Sequence, residues 1–156
     1  AMDPISIIAA ATTAFNALKK GIEIGRELQD MGGQLSQWAS AISDLEFLER
    51  RVQNPPWYKA FSSSVQAEAI EIFAAKHKAQ AMRDELKQYV QFSHGQSAWN
   101  ELLAIEAKIR VQRQEHEYRK QEIKDNIISG VLLFLSLTSI TAMLTLFIMV
   151  YVSYGN

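Results

Sequence analysis

Cysteine is absent from this 156-residue sequence, which excludes a disulfide framework, a thiolate metal site and a cysteine nucleophile. Enzyme signatures are missing too: there is no Gly-rich phosphate loop, no Gly-x-Ser-x-Gly elbow and no His-Glu-x-x-His pair. The three histidines, His77, His94 and His116, are scattered singly, and each is expected to be solvated rather than a ligand. Ser62-Ser63-Ser64 has no base at a fixed spacing and reads as helix-capping material. Carboxylate pairs such as Asp84/Glu85 and Glu115/Glu117 alternate with Lys and Arg, the pattern of a solvated helix surface. No residue is therefore assigned to catalysis, to a cofactor or to a metal, and the expectation is a protein that is not an enzyme. A net charge of −1 lacks the basic excess of a nucleic-acid binder.

Charge itself is missing from Asn126 to Asn156. At 1.5 Å per residue, the helix expected over Ile127–Val152 is about 39 Å long, against about 30 Å for a bilayer core. Ile127, Val131, Leu132, Leu133, Phe134, Leu137, Leu144, Phe147 and Val150 would face lipid. The expectation is a transmembrane helix over 126–152 followed by a short polar tail, 153–156, which would make the protein tail-anchored. The bland rival is a buried core helix or a helix packed in a coat of other proteins. Lys108, Arg110, Arg113, Arg119, Lys120 and Lys124 precede the segment and no charge follows it. That asymmetry puts the N-terminal part on the cytoplasmic side, with Arg119, Lys120 and Lys124 as the nearest topology flank. Interleaved Glu115, Glu117, Glu122 and Asp125 argue against a strong anionic-lipid switch. Tyr151 and Tyr154 suit the far interface. Thr138, Thr141 and Thr145, with Ala142 beside them, form a small hydroxylated stripe through which such helices could associate, unless the hydroxyls bond their own carbonyls.

The rest of the chain reads as helical throughout. Asp3-Pro4 opens a first helix over Ile5–Asp30, with Ile8, Ala11, Phe15, Leu18 and Ile22 on one face as a core or oligomer stripe. Ile8, Phe15 and Ile22 are candidate oligomer contacts, and Gly21-x-x-x-Gly25 is a further close-packing face. The uncharged stretch Pro4–Leu18 is too short to span a bilayer, with interfacial insertion as its alternative. No cleavable signal peptide is expected, because the apolar start lacks a basic region before it. Gly32-Gly33 should break the pattern before a second helix bearing Leu35, Trp38, Ile42 and Leu45, with Glu46, Glu49, Arg50 and Arg51 mostly facing water. Asn54-Pro55-Pro56 ends it. Trp57, Tyr58 and Phe61 should plug that connection into the core. A third helix over 64–92 carries Val65, Ala69, Ile72, Phe73, Leu86, Tyr89 and Val90, and stops at His94-Gly95.

Ser97 should cap a fourth helix with Trp99, Leu102, Leu103, Ile105 and Ile109, running unbroken toward the apolar segment. Its seam fades beyond Val111, where Gln112, His116 and Arg119 hold positions a coiled coil would fill with Leu. The expected organisation is all-α: a three-helix domain over 3–95, a charged stalk over 97–125, then the membrane helix.

Met2-Asp3-Pro4-Ile5-Ser6, the segment Lys20-Gly21-Ile22-Glu23-Ile24-Gly25-Arg26-Glu27-Leu28-Gln29-Asp30-Met31, the Asn54-Pro55-Pro56-Trp57 corner and Phe73-Ala74-Ala75-Lys76 carry a resemblance. With the Arg/Gln/Glu-rich stretch before the hydrophobic end, they resemble short virion or structural proteins of T4-like marine phages of cyanobacteria. The resemblance implies a phage setting, in which the non-enzymatic, oligomeric helical protein read from the residues, with its lipid-bilayer contact, would be a minor virion component among other virion proteins. It would act at the tail or in genome delivery through the host envelope. A holin-like host-lysis protein and a cellular tail-anchored tether are the alternatives. A Bcl-2-like protein is excluded because Trp99-Asn100-Glu101 does not supply the Asn-Trp-Gly-Arg groove motif. A fusion SNARE is excluded by the seam that decays after Ile109.

Overall fold

In the computed structural model, which describes residues 3–60, 62 and 64–155, every regular element is helical and no strand occurs among the described residues. Helix α1 spans Pro4–Glu23. Asp3 caps it by accepting the Ile5 amide at 3.4 Å and the Ser6 hydroxyl at 3.2 Å, and Pro4 occupies the first turn, where its missing N–H costs nothing. The helix stops earlier than the expected Asp30. Gly25 takes φ +82°, while the Arg26 amide donates to Gly21 O and the Gly25 amide to Ile22 O. This pair of bonds closes a helix with a left-handed glycine, a conformation a side chain resists. Gly25 is therefore the helix ending rather than half of a close-packing face. Gly21 itself lies against Met31, whose sulfur occupies the space a Cβ would need.

A single 3₁₀ turn, Leu28–Met31, leads directly into α2, Gly32–Gln53. The expected break at Gly32-Gly33 thus falls upstream, and both glycines lie inside the first turn of α2. Asn54 ends α2 ahead of the two prolines. Helix α3, Ser64–Arg113, contains one non-helical residue, Gly95, at φ 83° and ψ 178°, a region open in practice only to glycine. The chain folds back there, so that Arg83 on one arm meets Glu106 on the other at 2.6 Å. The second arm resumes immediately after Gly95 rather than at a Ser97 cap. One widened turn, the π-helical Gln114–Tyr118, then joins α3 to α4, Arg119–Tyr154.

The core lies among α1, α2 and both arms of α3. Ile7, Ala11, Ala14, Phe15, Leu18 and Ile22 of α1 meet Leu35, Trp38, Ile42 and Leu45 of α2 and Ile72, Ala79, Leu86, Val90, Trp99 and Leu102 of α3. Trp38 is completely enclosed, with the Phe15 ring 6.2 Å from its own. Phe73 contradicts the sequence reading: it is 74% exposed, one position past buried Ile72 and off the apolar stripe of its arm. The α1 stripe is centred on Ile7 rather than the half-buried Ile8.

Candidate membrane-anchor site

Helix α4 contains no buried residue. Ile127, Val131, Leu132, Leu133, Phe134, Leu137, Leu144, Phe147 and Val150 are all exposed, as are Tyr151 and Tyr154 near its end. Among the described residues one helix is long and apolar enough to cross a membrane by length and composition, and this segment supplies it. Four of its hydroxyls bond the helix's own backbone. Ser136 donates to Leu133 O, Thr138 to Leu135 O, Thr141 to Thr138 O and Thr145 to Ala142 O, all at 2.8–2.9 Å. Within one copy, then, Thr138, Thr141 and Thr145 bond their own helix, and the stripe with Ala142 presents methyl groups and small surfaces outward.

The charged stretch ahead of α4 does not stand free as a stalk but lies along α2, tied to it turn by turn. Trp38 Nε1 donates to Glu106 Oε1 at 2.9 Å, and Arg83 bonds the other oxygen. Arg110 pairs with Glu46 at 3.0 Å. Arg113 grips Asp44 with two bonds, Nε to Oδ1 at 2.6 Å and Nη2 to Oδ2 at 2.7 Å. Lys76 pairs with Glu49 from the first arm of α3. The expected water-facing side of α2 is thus largely an ion-paired seam.

The widened turn explains why the apolar seam faded in the sequence. An extra residue per turn rotates the helix face, which carries Tyr118 inward to 1% exposure, stacked on Phe47 at 4.1 Å. Tyr118 donates to Asp44 Oδ1 at 2.8 Å. Its single proton being committed there, Ser43 donates in turn to the Tyr118 oxygen at 2.7 Å. Burial first, with Asp44 adding to it, pushes the Tyr118 hydroxyl up to about 12. For Arg113, burial works against the charge, but the Asp44 bonds and charge prevail and hold the guanidinium above its usual range.

A second clasp closes at the boundary of the charge-free segment. Arg51 donates to Asp125 at 2.6 Å and to Gln121 at 2.8 Å. Tyr58 donates to the other Asp125 oxygen at 3.1 Å. Burial, then that bond, raises the Tyr58 hydroxyl. Trp57 Nε1 donates to Ser129 Oγ at 2.5 Å, with the indole half exposed. Trp57 and Tyr58 therefore do not plug the core. They fasten the α2–α3 connection to the start of the apolar helix; Phe61 lies outside the described residues, as does Ser63.

The topology flank is borne on the outside: Arg119, Lys120 and Lys124 are exposed. Of the candidate oligomer contacts, Phe15 and Ile22 are buried in the chain's own core, while Ile8 is half-buried and packs against it. His77 and His116 are exposed. His94 is not solvated as expected: its side chain is 15% exposed, with Nε2 3.9 Å from Glu27. Sequence reasoning missed Glu106, Tyr118 and Ser43 altogether. The available signal was spacing, since Trp99, Leu102, Glu106 and Tyr118 stay on one face only if a turn is widened after residue 113.

These features define an all-α protein with an ion-paired helical head and one uncovered apolar helix. No family model, no curated protein and no solved structure matches the chain.

Proposed function

We propose that the protein is a non-enzymatic structural protein whose apolar helix seats in a lipid bilayer, with the helical head on the cytoplasmic side. One observation carries this: the apolar side chains of residues 131–152 are exposed all round the helix, and an apolar surface of that size needs lipid or protein to cover it. The exposed Arg119, Lys120 and Lys124 on one flank, against no charge in residues 153–156, support the orientation. In the phage setting that the sequence resemblance implies, the protein is a minor virion component. It is an oligomer that contacts other virion proteins, and its helix enters the host envelope at the tail or during genome delivery. Self-association there runs through the small face around Thr141 and Ala142, where backbones can approach closely.

Mass spectrometry of purified virions tests the setting. Stoichiometric amounts of the polypeptide support a virion role. Absence from virions together with late accumulation in the host membrane supports a lysis protein instead, and absence from infected cells altogether leaves a cellular tether.

A further inference from the structure

A cleft of about 410 Å³ opens where the end of α2 faces the start of α4. Arg50, Arg51, Trp57, Glu122 and Asp125 line it, and Phe47 forms part of its floor. Arg51 and Asp125 neutralise one another at 2.6 Å. Arg50 and Glu122 are both exposed, and neither is ion-paired to another described residue. The cleft therefore presents one uncommitted cation and one uncommitted anion, neutral in sum but dipolar.

Its position is as informative as its charge. Ser129, which bonds Trp57, also lines the cleft and already belongs to the charge-free segment. The cleft thus runs from the polar face of the helix down to the level at which that segment would enter lipid. A half-exposed Trp at that level is typical of the headgroup region. A purely anionic ligand would meet Glu122 and a purely cationic one Arg50. A ligand carrying phosphate and ammonium together satisfies both by charge-assisted hydrogen bonds.

We infer that this cleft seats the headgroup of a zwitterionic phospholipid with a primary ammonium, its phosphate toward Arg50 and its ammonium toward Glu122. The acyl chains run down the exposed apolar side chains of α4. The primary amine matters because a quaternary ammonium has no N–H to donate to a carboxylate. The inference rests on the membrane reading.

The test is native mass spectrometry of the full chain released from detergent micelles that contain equal phosphatidylethanolamine, phosphatidylcholine and phosphatidylglycerol. Phosphatidylethanolamine adducts should exceed either competitor by about tenfold, the worth of one charge-assisted bond. Glu122→Gln should abolish that preference, and Arg50→Gln should lower retention of all three lipids alike, while vesicle flotation and helical circular dichroism stay unchanged; both positions are exposed. Soluble phosphoethanolamine, the same chemistry without acyl chains, should fail to displace the lipid at equal concentration. Equal retention of the three lipids, a preference for phosphatidylglycerol, or selectivity surviving Glu122→Gln overturns the inference. Displacement by phosphoethanolamine would mean a soluble ligand and overturn the lipid assignment. A wild-type chain that does not float with vesicles fails the membrane reading itself, whereas one that floats without selectivity fails this inference alone.

Discussion

Glu106 is a carboxylate only 3% exposed, held by Trp38 and Arg83. Burial is the dominant influence and raises its proton affinity above the ordinary 4.5, against the opposing pull of Arg83 and of the Trp38 bond. The folded chain then binds this proton more tightly than the unfolded chain does. Its contribution to stability is largest below 4.5 and is lost as pH rises from there through the raised folded value. Unfolding midpoints of Glu106→Gln in detergent should lack that fall, while the wild type shows it; parallel curves would contradict the assignment. Glu106→Ala should cost about 3–5 kcal/mol, because Arg83 is left half-buried and unpaired. At Tyr118 the hydroxyl serves both Ser43 and Asp44, so Tyr118→Phe should cost about 1–3 kcal/mol with the Phe47 stack kept. A change under a few tenths, read from the same midpoints, would mean that the hydroxyl has water as a substitute partner. Neither residue was legible as structural in the sequence. A lone Glu in a charged stretch looks solvated until the opposing Trp38 and Arg83 are known to converge on it, and those lie 68 and 23 positions away.

At the scale of elements, the helical segments were readable because local signals agree with the packing. The Asp3-Pro4 opening acts through a local side-chain cap, and the Asn54-Pro55-Pro56 stop and the break at Gly95 act through backbone conformation alone. The misread boundaries share one cause: where two candidate breakers lie close together, only the tertiary context decides. Gly25 and Gly32-Gly33 both permit a turn, and burial of Leu28 and Met31 places it at Gly25. The same limit applies to helix faces. Trp38→Ala should cost about 3–5 kcal/mol, whereas Phe73→Ala should stay within about 0.5 kcal/mol, the range of surface substitutions. Equal shifts in the two denaturant midpoints would overturn the packing of α3. Gly95→Ala forces a side chain into a glycine-only region and should cost about 1–3 kcal/mol, seen as a lower melting temperature. In α4, replacing Thr141 and Ala142 together with Leu should abolish crosslinked oligomers in detergent while insertion survives. Unchanged oligomer yields would move the contact to the exposed Ile70 and Phe73 of α3, since Phe15 and Ile22 are already enclosed.

For the whole molecule, the apolar segment was the most legible feature, because its message needs no partner residue to interpret. The ion-paired collar was the least legible, since most of it pairs α2 with α3 across long stretches of chain, and its last clasp, Arg51 with Asp125, joins α2 to α4 beyond the widened turn at Gln114–Tyr118. The account stands or falls on the placement of residues 127–152 in a bilayer with the head inside. The lack of cysteine makes one measurement decisive: single-cysteine labelling with a membrane-impermeant maleimide on bacterial spheroplasts that express the full chain. Ser153→Cys should label on intact cells, Gln66→Cys on exposed α3 only after lysis, and Leu137→Cys in neither state until detergent is added. Labelling of Gln66→Cys on intact spheroplasts, or of Leu137→Cys without detergent, would contradict the account.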